Sequence, residues 1–330
     1  MRRREILAAL AATAVGGGSV LATASPASAA EDYYLALTEQ VSNRVMVWNR
    51  NVSWTDANLH WQFTPGTTAG VWQNLSDIRI RATSAFGTVA LVTASGGQAA
   101  IIDVKDGQSR ATTADILWQA TPGGNPHAIE RIPDNGSIVV ASSGGTLTLY
   151  SPTAISKPST LAKVQTISFA GAHGVLWDPS HGYLWAIGEG RLVPYTVTGT
   201  YRDTRLSARN GSISLGTYTN SAGETKPNLG HDLQPSLTDS DTLYITHTTG
   251  VYSVNATTFA LTKISGTTSV KAYVDSPGGE RAQVRADNTG ARTWGTPTVQ
   301  FFNADGTAAG TQTRSGAEFY KARIFTTAFE

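Results

Sequence analysis

Residues 171–190 read GAHGVLWDPSHGYLWAIGEG, and this stretch holds one copy of the unit from which the chain is built. A histidine precedes a short apolar segment, a turn of Pro, Ser and Gly follows, and a second apolar segment ends at another glycine turn. Two short β-rich segments joined by a tight turn predict a β-hairpin. Related stretches start at Asn125 (NPHAIERIPDNG) and at Leu229 (LGHDLQPSLTDS), so the unit recurs.

The recurrence extends along the rest of the chain. ANLHWQFTPG from Ala57 and ADILWQATPG from Ala114 are identical at six of ten positions, and Leu59 stands opposite Ile116 at a seventh. After the three histidine stretches, VKAYVDSPGGE and YKARIFTTAFE continue the series with lysines, and SDIRIRATSAFG supplies the earliest unit. Six units spaced by about fifty residues have the blade length of a β-propeller.

The sequence therefore predicts an all-β fold, with residues 31–330 forming a single six-bladed propeller. The segment after residue 30 starts in a hairpin without a preceding inner strand, whereas the last unit has no hairpin after it. We expect the C-terminal strand, near Tyr320 to Phe329, to pair with the strand near Tyr33 to Thr38 and close the ring, which removes an open sheet edge. Seven blades or a two-sheet solenoid are the alternatives.

The first thirty residues have the features of an export signal. A basic start, MRRRE, precedes an apolar stretch that ends in ASA at residues 27–29, which predicts cleavage and a secreted protein. Arg3-Arg4-Glu5-Ile6-Leu7 fits a twin-arginine signal, although general secretion remains the alternative. A cysteine-free chain has no disulfides, so its stability depends on packing and sheet hydrogen bonds.

Charge composition bears on the partners. The 25 Lys and Arg residues balance 24 Asp and Glu residues, leaving a net charge of +1. No global field would attract nucleic acid, so any basic site is local. We expect a monomer that does not associate with membranes once the signal is removed.

The predicted site is the ring of residues that open the six inner strands. Such residues converge at one mouth of a propeller channel, and here most of them are basic. We expect His127, His173 and His231 to be catalytic, because imidazole suits proton transfer near neutral pH. The expected substrate-binding residues are Arg79, Lys271 and Lys321 in the ring and Glu189 and His247 in adjacent loops. Asp77 is the alternative to Arg79 in the earliest unit.

The stretches GAHGVLWDPSHGYLWAIG and LGHDLQPSLTDSDTLYIT give the chain a family resemblance. It resembles a group of secreted, largely actinobacterial propeller proteins of unknown function, which implies the fold and export but no activity. More loosely, a channel lined by His, Lys and Arg is similar to those of propeller lyases and glycosidases that act on uronate-containing polysaccharides.

Three functions follow from these residues. The first is a polysaccharide lyase, in which the cations neutralise a uronate carboxylate while histidines transfer protons. Glycoside hydrolysis is the second enzymatic hypothesis, and it ranks below elimination because it requires two carboxylates. The non-catalytic alternative is a module that binds a glycan, or a zinc or manganese ion held by the three histidines. The lyase and glycan-binding readings require no cofactor.

Overall fold

The computed structural model describes residues 31–66 and 70–329, so the predicted export signal lies outside the described residues. Strand accounts for 53% of the structure and helix for 4%, which confirms the all-β prediction. The helical residues form four single-turn 3-10 helices: Asp56–Asn58, Thr113–Asp115, Pro158–Thr160 and Tyr201–Asp203. No helix in the described part of the chain is long and apolar enough to cross a membrane.

Twenty-eight strands are present within the described ranges. The first ten are β1 Tyr34–Glu39, β2 Arg44–Asn49, β3 Trp61–Thr64, β4 Leu75–Thr83, β5 Gly87–Ala94, β6 Gln98–Asp103, β7 Arg110–Thr112, β8 Ile116–Ala120, β9 Pro126–Ile132 and β10 Ser137–Ser142. The next nine are β11 Thr146–Ser151, β12 Ala162–Ser168, β13 Gly174–Asp178, β14 Tyr183–Ile187, β15 Arg191–Thr198, β16 Arg205–Ala208, β17 Ile213–Ser214, β18 Thr217–Thr219 and β19 Thr225–Pro227. The last nine are β20 Gly230–Pro235, β21 Thr242–His247, β22 Gly250–Asn255, β23 Leu261–Ser265, β24 Val270–Asp275, β25 Arg281–Arg285, β26 Thr298–Phe302, β27 Ala308–Thr313 and β28 Phe319–Ile324.

These strands form six blades. Blade 1 has the strand order β28-β1-β2-β3-β7, and blade 2 has the order β4-β5-β6-β8. Blades 3, 5 and 6 are β9-β10-β11-β12, β20-β21-β22-β23 and β24-β25-β26-β27, and blade 4 is β13-β14-β15-β16 with β17 beside β15. The short hairpin β18–β19 stands apart from the blades. The predicted six-bladed propeller is confirmed.

The C-terminal strand closes the ring, as the sequence predicts. Strand β28 is the inner strand of blade 1 and pairs antiparallel with β1, with Leu35 opposite Ile324 and Leu37 opposite Ala322. The strand ends at Ile324, five residues earlier than the predicted end at Phe329. One connection was not foreseen: β7, which lies within the blade 2 sequence, pairs parallel with β3 and adds an outer strand to blade 1.

Apolar side chains fill the spaces between adjacent blades. Trp61 is 2% exposed and packs with residues of blades 1 and 2, while Trp118 is 7% exposed and packs with residues of blades 2 and 3. The two Trp residues of the repeated WQ motif therefore occupy equivalent packing positions. Replacing either by Ala would remove about 3–5 kcal/mol of packing free energy, the usual cost for a buried Trp.

The inner strands β4, β9, β13, β20, β24 and β28 surround a central channel, and each contacts the next around the ring. All six inner strands run in the same direction, because residues at or just before the start of each strand line one common cavity. Their first residues therefore lie at one mouth of the channel. This arrangement sets the position of the candidate site.

Candidate functional site

Three imidazole rings meet at the mouth where the inner strands begin. His127 and His231 are the second residues of β9 and β20, and His173 directly precedes β13. The ring centroids of His127 and His173 are 4.4 Å apart, and those of His173 and His231 are 5.7 Å apart. The structure thus brings together the three histidines that the repeat spacing singled out.

Backbone turns orient two of these rings. Asn125 and Gly171 have φ values of 64° and 60°, and each lies two residues before a histidine. The carbonyl oxygen of Asn125 lies 3.0 Å from Nδ1 of His127, and that of Gly171 lies 2.7 Å from Nδ1 of His173. Because a carbonyl only accepts hydrogen bonds, Nδ1 carries the proton in both rings, and Nε2 keeps its lone pair.

His231 has a different environment. Its Nε2 atom lies 3.5 Å from the ammonium nitrogen of Lys271, while its buried Nδ1 atom has no hydrogen-bond partner among the described residues. Lys271 is the second residue of β24, the position that the two strand-borne histidines occupy in their own strands. The fourth predicted ring member is therefore also in place.

These groups line a cavity of about 500 Å³ at the channel mouth. The volume falls within the range of about 300–1,000 Å³ that is usual for small-molecule sites. Every blade contributes at least one of the lining residues: Gln40, Asn74, Ser95, Asn125, His127, His173, His231, Lys271, Trp294 and Tyr320. Lys271 is the charged group among them at neutral pH, and none of these described lining residues is a carboxylate.

Burial sets the protonation of the cavity. Burial, together with the positive charge of Lys321 and Lys271, lowers the pKa of His127 to about 4 and that of His173 to about 3. Burial, followed by the Lys271 ammonium, holds the pKa of His231 well below its usual value. Burial and then Lys321 lower the pKa of Lys271 to about 8. At neutral pH the cavity therefore combines three neutral imidazoles with one ammonium group.

The structure corrects the predicted position of Lys321. Its side chain is fully buried below the cavity, where Nζ donates to the backbone oxygen of His231 and to Oδ1 of Asp232 at 3.0 Å. Lys321 is the third residue of β28, whereas Tyr320, the second, lines the cavity. A strand alternates its side chains, so an error of one residue in register assigns the wrong side chain to the mouth.

Arg79 lies deeper in the channel rather than at the mouth. Its guanidinium donates to the backbone oxygens of Val175 and Leu233, both at 2.9 Å, and it is 2% exposed. The alternative residue, Asp77, is also buried and accepts from Arg323 at 2.6 Å. Blade 2 instead supplies Asn74 and Ser95 to the cavity.

Arg79 and Lys321 belong to a network of charges that fills the channel below the cavity. The carboxylates are Asp77, Glu130 and Asp232, and the cations are Arg79, Arg81, Lys321 and Arg323. Burial raises the pKa of Asp232, but Arg323 and Lys321 outweigh it and hold that pKa below its usual value. Compensated charges of this kind join the blades across the axis.

The two predicted loop residues also lie outside the cavity lining. Glu189 is exposed and forms a backbone bridge with Leu229. His247 is 1% exposed and stacks on Tyr252, with 4.2 Å between the ring centroids. Glu189 follows β14 and His247 is the last residue of β21, and both strands end on the mouth side as expected, but neither residue lines the cavity.

Sequence reasoning missed several cavity residues, above all Trp294. Trp294 lies in the loop between β25 and β26, is 43% exposed, and donates from Nε1 to Oε1 of Gln40 at 2.9 Å. A Trp within the polar segment DNTGARTWGT was the available signal, because polar loops have no core in which to bury such a ring.

The geometry gives no support to the three-histidine metal alternative. Across residues 31–66 and 70–329, no group of three or more His, Cys, Asp or Glu side chains is arranged to hold a metal ion. The ammonium group of Lys271 beside His231 would also repel a cation bound there.

Fold and site together define a six-bladed propeller with a neutral-histidine and lysine cavity at one mouth of its channel. The sequence matches the family of unknown function DUF6528 over residues 11–326, and the chain belongs to that family. No curated protein matches the sequence.

Solved structures of very different sequence share the fold. A protein from Lactobacillus plantarum is 12% identical with a TM-score of 0.54, and the comparison covers 90% of this chain and 100% of that chain. A chain of the nidogen/laminin complex is 13% identical with a TM-score of 0.56, covering 90% and 99%. A protein from Bacteroides fragilis NCTC 9343, proposed to be a 6-phosphogluconolactonase, is 14% identical with a TM-score of 0.53, covering 92% and 100%. These likenesses show the fold alone.

Proposed function

We propose that the cavity binds an acidic, uronate-containing saccharide outside the cell and cleaves it by elimination. The observation that carries this proposal is the single ammonium group of Lys271 in a cavity whose described lining residues include no carboxylate. A carboxylate ligand would pair with Lys271 and meet no opposing negative charge there. The amides, the hydroxyl groups and the neutral imidazoles offer hydrogen bonds to sugar hydroxyls.

Elimination requires three groups, and the cavity contains a candidate for each. Lys271 neutralises the uronate carboxylate, which makes the proton on C5 easier to remove. Nε2 of His127 or His173 takes that proton, the released electron pair forms the C4–C5 double bond, and the C4–O bond breaks. The leaving oxygen takes a proton from Tyr320, since burial raises the pKa of its phenol and keeps it protonated.

The low pKa values of the histidines favour a second candidate, binding without turnover. An imidazole with a pKa of about 4 is a weak base in the empty cavity. A bound carboxylate would raise that pKa. A large rise would make the imidazole a competent base and favour elimination, whereas a small rise would favour binding without turnover. Hydrolysis is less favoured because it requires two carboxylates.

The binding test uses uronate oligosaccharides and the same oligosaccharides with their carboxyl groups reduced to alcohols. Isothermal titration should detect binding of the acidic form, with at least tenfold weaker binding of the reduced form. Lys271→Met should abolish this discrimination, while Lys263→Met, at an exposed lysine on an outer strand, should preserve it. Equal affinity for both ligands would refute the proposed role of Lys271.

The catalytic test follows the ultraviolet absorbance of the unsaturated uronate product. His127→Gln, His173→Gln and Tyr320→Phe should lower kcat far more than they weaken binding of the saccharide. A wild-type protein that binds the acidic saccharide but forms no unsaturated product would exclude elimination and establish the binding candidate.

A further inference from the structure

The loop at residues 286–297, between β25 and β26, extends from blade 6 across the edge of the channel mouth. Arg292 donates to the side chain of Asn74 in blade 2 and to the backbone oxygen of Gln40 in blade 1. Gly290 and Gly295 allow the loop to approach the blade closely, because a Cβ at either position would overlap the carboxylate of Glu318. The loop is therefore fixed across three blades.

This anchoring gives Trp294 a defined orientation at the cavity rim. Its indole N–H is held by Oε1 of Gln40, whose Nε2 atom donates to the backbone oxygen of Leu75 at 2.9 Å. The guanidinium carbon of Arg292 lies 5.7 Å from the centroid of the Trp294 ring. Such contacts hold the indole in place, yet 43% of the residue stays exposed.

Trp294 differs in exposure from every other tryptophan of the chain. The remaining seven are at most 8% exposed, and each belongs to a hydrophobic core cluster. A large apolar ring that is kept in solvent at the edge of a polar cavity is typical of a contact surface for a ligand. The apolar C–H faces of a pyranose ring stack on such a surface, while the sugar hydroxyls remain in water.

We propose that Trp294 stacks on the sugar ring adjacent to the one that binds Lys271, so that the ligand is an oligosaccharide extending out of the cavity over the rim. This inference rests on the proposed function and deepens it. Lys271 selects the acidic sugar inside the cavity, and Trp294 selects a chain of at least two sugars. A free monosaccharide bound to Lys271 would occupy only part of the cavity and would not reach the indole at its rim.

The exposure difference provides a direct assay. Acrylamide quenches accessible tryptophans, so the quenchable fluorescence of this protein arises from Trp294, and Trp294→Phe should remove it. A uronate trisaccharide should protect the wild-type protein from quenching, whereas the uronate monosaccharide should bind without protecting it. Trp294→Ala should weaken trisaccharide binding about tenfold and leave monosaccharide binding unchanged.

Two further variants control this assay. Trp294→Phe retains an aromatic face and should keep most of the trisaccharide affinity. Tyr201→Ala removes an aromatic residue of similar exposure, 38%, from the connection between β15 and β16 on the opposite face, and should bind like the wild type. Melting temperatures of all variants should match the wild type, because neither side chain is part of the core.

The outcomes separate the two proposals. Equal affinity for monosaccharide and trisaccharide, no protection of Trp294 and no effect of Trp294→Ala would overturn the stacking role but leave the acidic-sugar site intact. Failure of every uronate to bind would overturn the proposed function and the inference that rests on it.

Discussion

Replacing Arg323 by Met tests whether the buried charge network holds the propeller together. One terminal nitrogen of Arg323 lies 2.6 Å from Oδ1 of Asp77 in blade 2 and 2.9 Å from Oδ1 of Asp232 in blade 5. Arg323 itself lies on β28 in blade 1, so one side chain joins three blades across the axis. All three groups are at most 5% exposed, and water cannot replace the lost contacts.

The expected cost follows from what the substitution leaves behind. Asp232 retains Lys321 at 3.0 Å, but Asp77 retains as its nearest ion-pair partner only Arg79, at the longer distance of 3.7 Å, among the described residues. Removing one partner of a buried ion pair typically costs about 3–5 kcal/mol, because the other charge stays buried. We expect Arg323→Met to lower the free energy of unfolding by this amount.

Urea unfolding at pH 7 measures the effect, with Lys226→Met as the control for a surface ion pair. Lys226 pairs with Glu224 at 3.2 Å, but the two side chains are 49% and 58% exposed, so the control should unfold like the wild type. Adding Asp77→Asn to Arg323→Met should restore part of the stability, because the unpaired charge is removed. A loss below 1 kcal/mol for Arg323→Met, with an unchanged m value, would refute the reasoning.

Three other predictions concern pH, proton uptake and ring closure. The pKa values of His127 and His173, about 4 and about 3, lie below the value of ~6.5 in the unfolded chain, so the unfolded state binds more protons between these limits. The free energy of unfolding should therefore fall from pH 7 to pH 5 by about 2 kcal/mol per histidine. Urea titrations at several pH values measure this fall, and His173→Gln should reduce it. Binding of a uronate at pH 5 should be accompanied by proton uptake, because the carboxylate raises the pKa of the neighbouring imidazoles; titration calorimetry in buffers of different ionisation enthalpy measures it, and an identical enthalpy in all buffers would contradict it. Deleting residues 319–330 should expose the edge of β1 and cause aggregation or a broad melting transition, whereas an unchanged sharp transition would argue against closure by β28.

The fold could be predicted from the sequence because several repeats have a basic residue at the start of the inner strand. His127, His173 and His231 mark the starts of three inner strands, and Lys271 marks a fourth. The last unit, YKARIFTTAFE, repeats the inner-strand position of the other units and so predicts the inner strand of the first blade. Contacts that do not recur from one repeat to the next could not be predicted, such as the parallel pairing of β3 with β7.

The sequence predicted the candidate-site residues correctly only where the basic residue occupies the same position in its strand as in the other repeats. The basic residue of the last unit predicts Lys321 at the mouth, but β28 starts one residue earlier than this prediction requires, and Tyr320 occupies the mouth. Charge alone predicts Arg79 at the mouth, but Arg79 is the fifth residue of the nine-residue strand β4, and that position places its side chain deeper in the channel. Trp294 reaches the cavity through a loop contact with Gln40, which no spacing rule encodes.

The pairing of β1 with β28 also constrains how the protein is made. Leu35 is synthesised among the first described residues, but its partner, Ile324, is among the last. Until β28 emerges from the ribosome, β1 lacks its inner neighbour, and the channel charges contributed by Arg323 and Lys321 are missing. Contacts between such distant residues slow folding, because a long loop must close before they form. Ring closure is therefore expected to be a late folding step that completes the cavity and the blade order together.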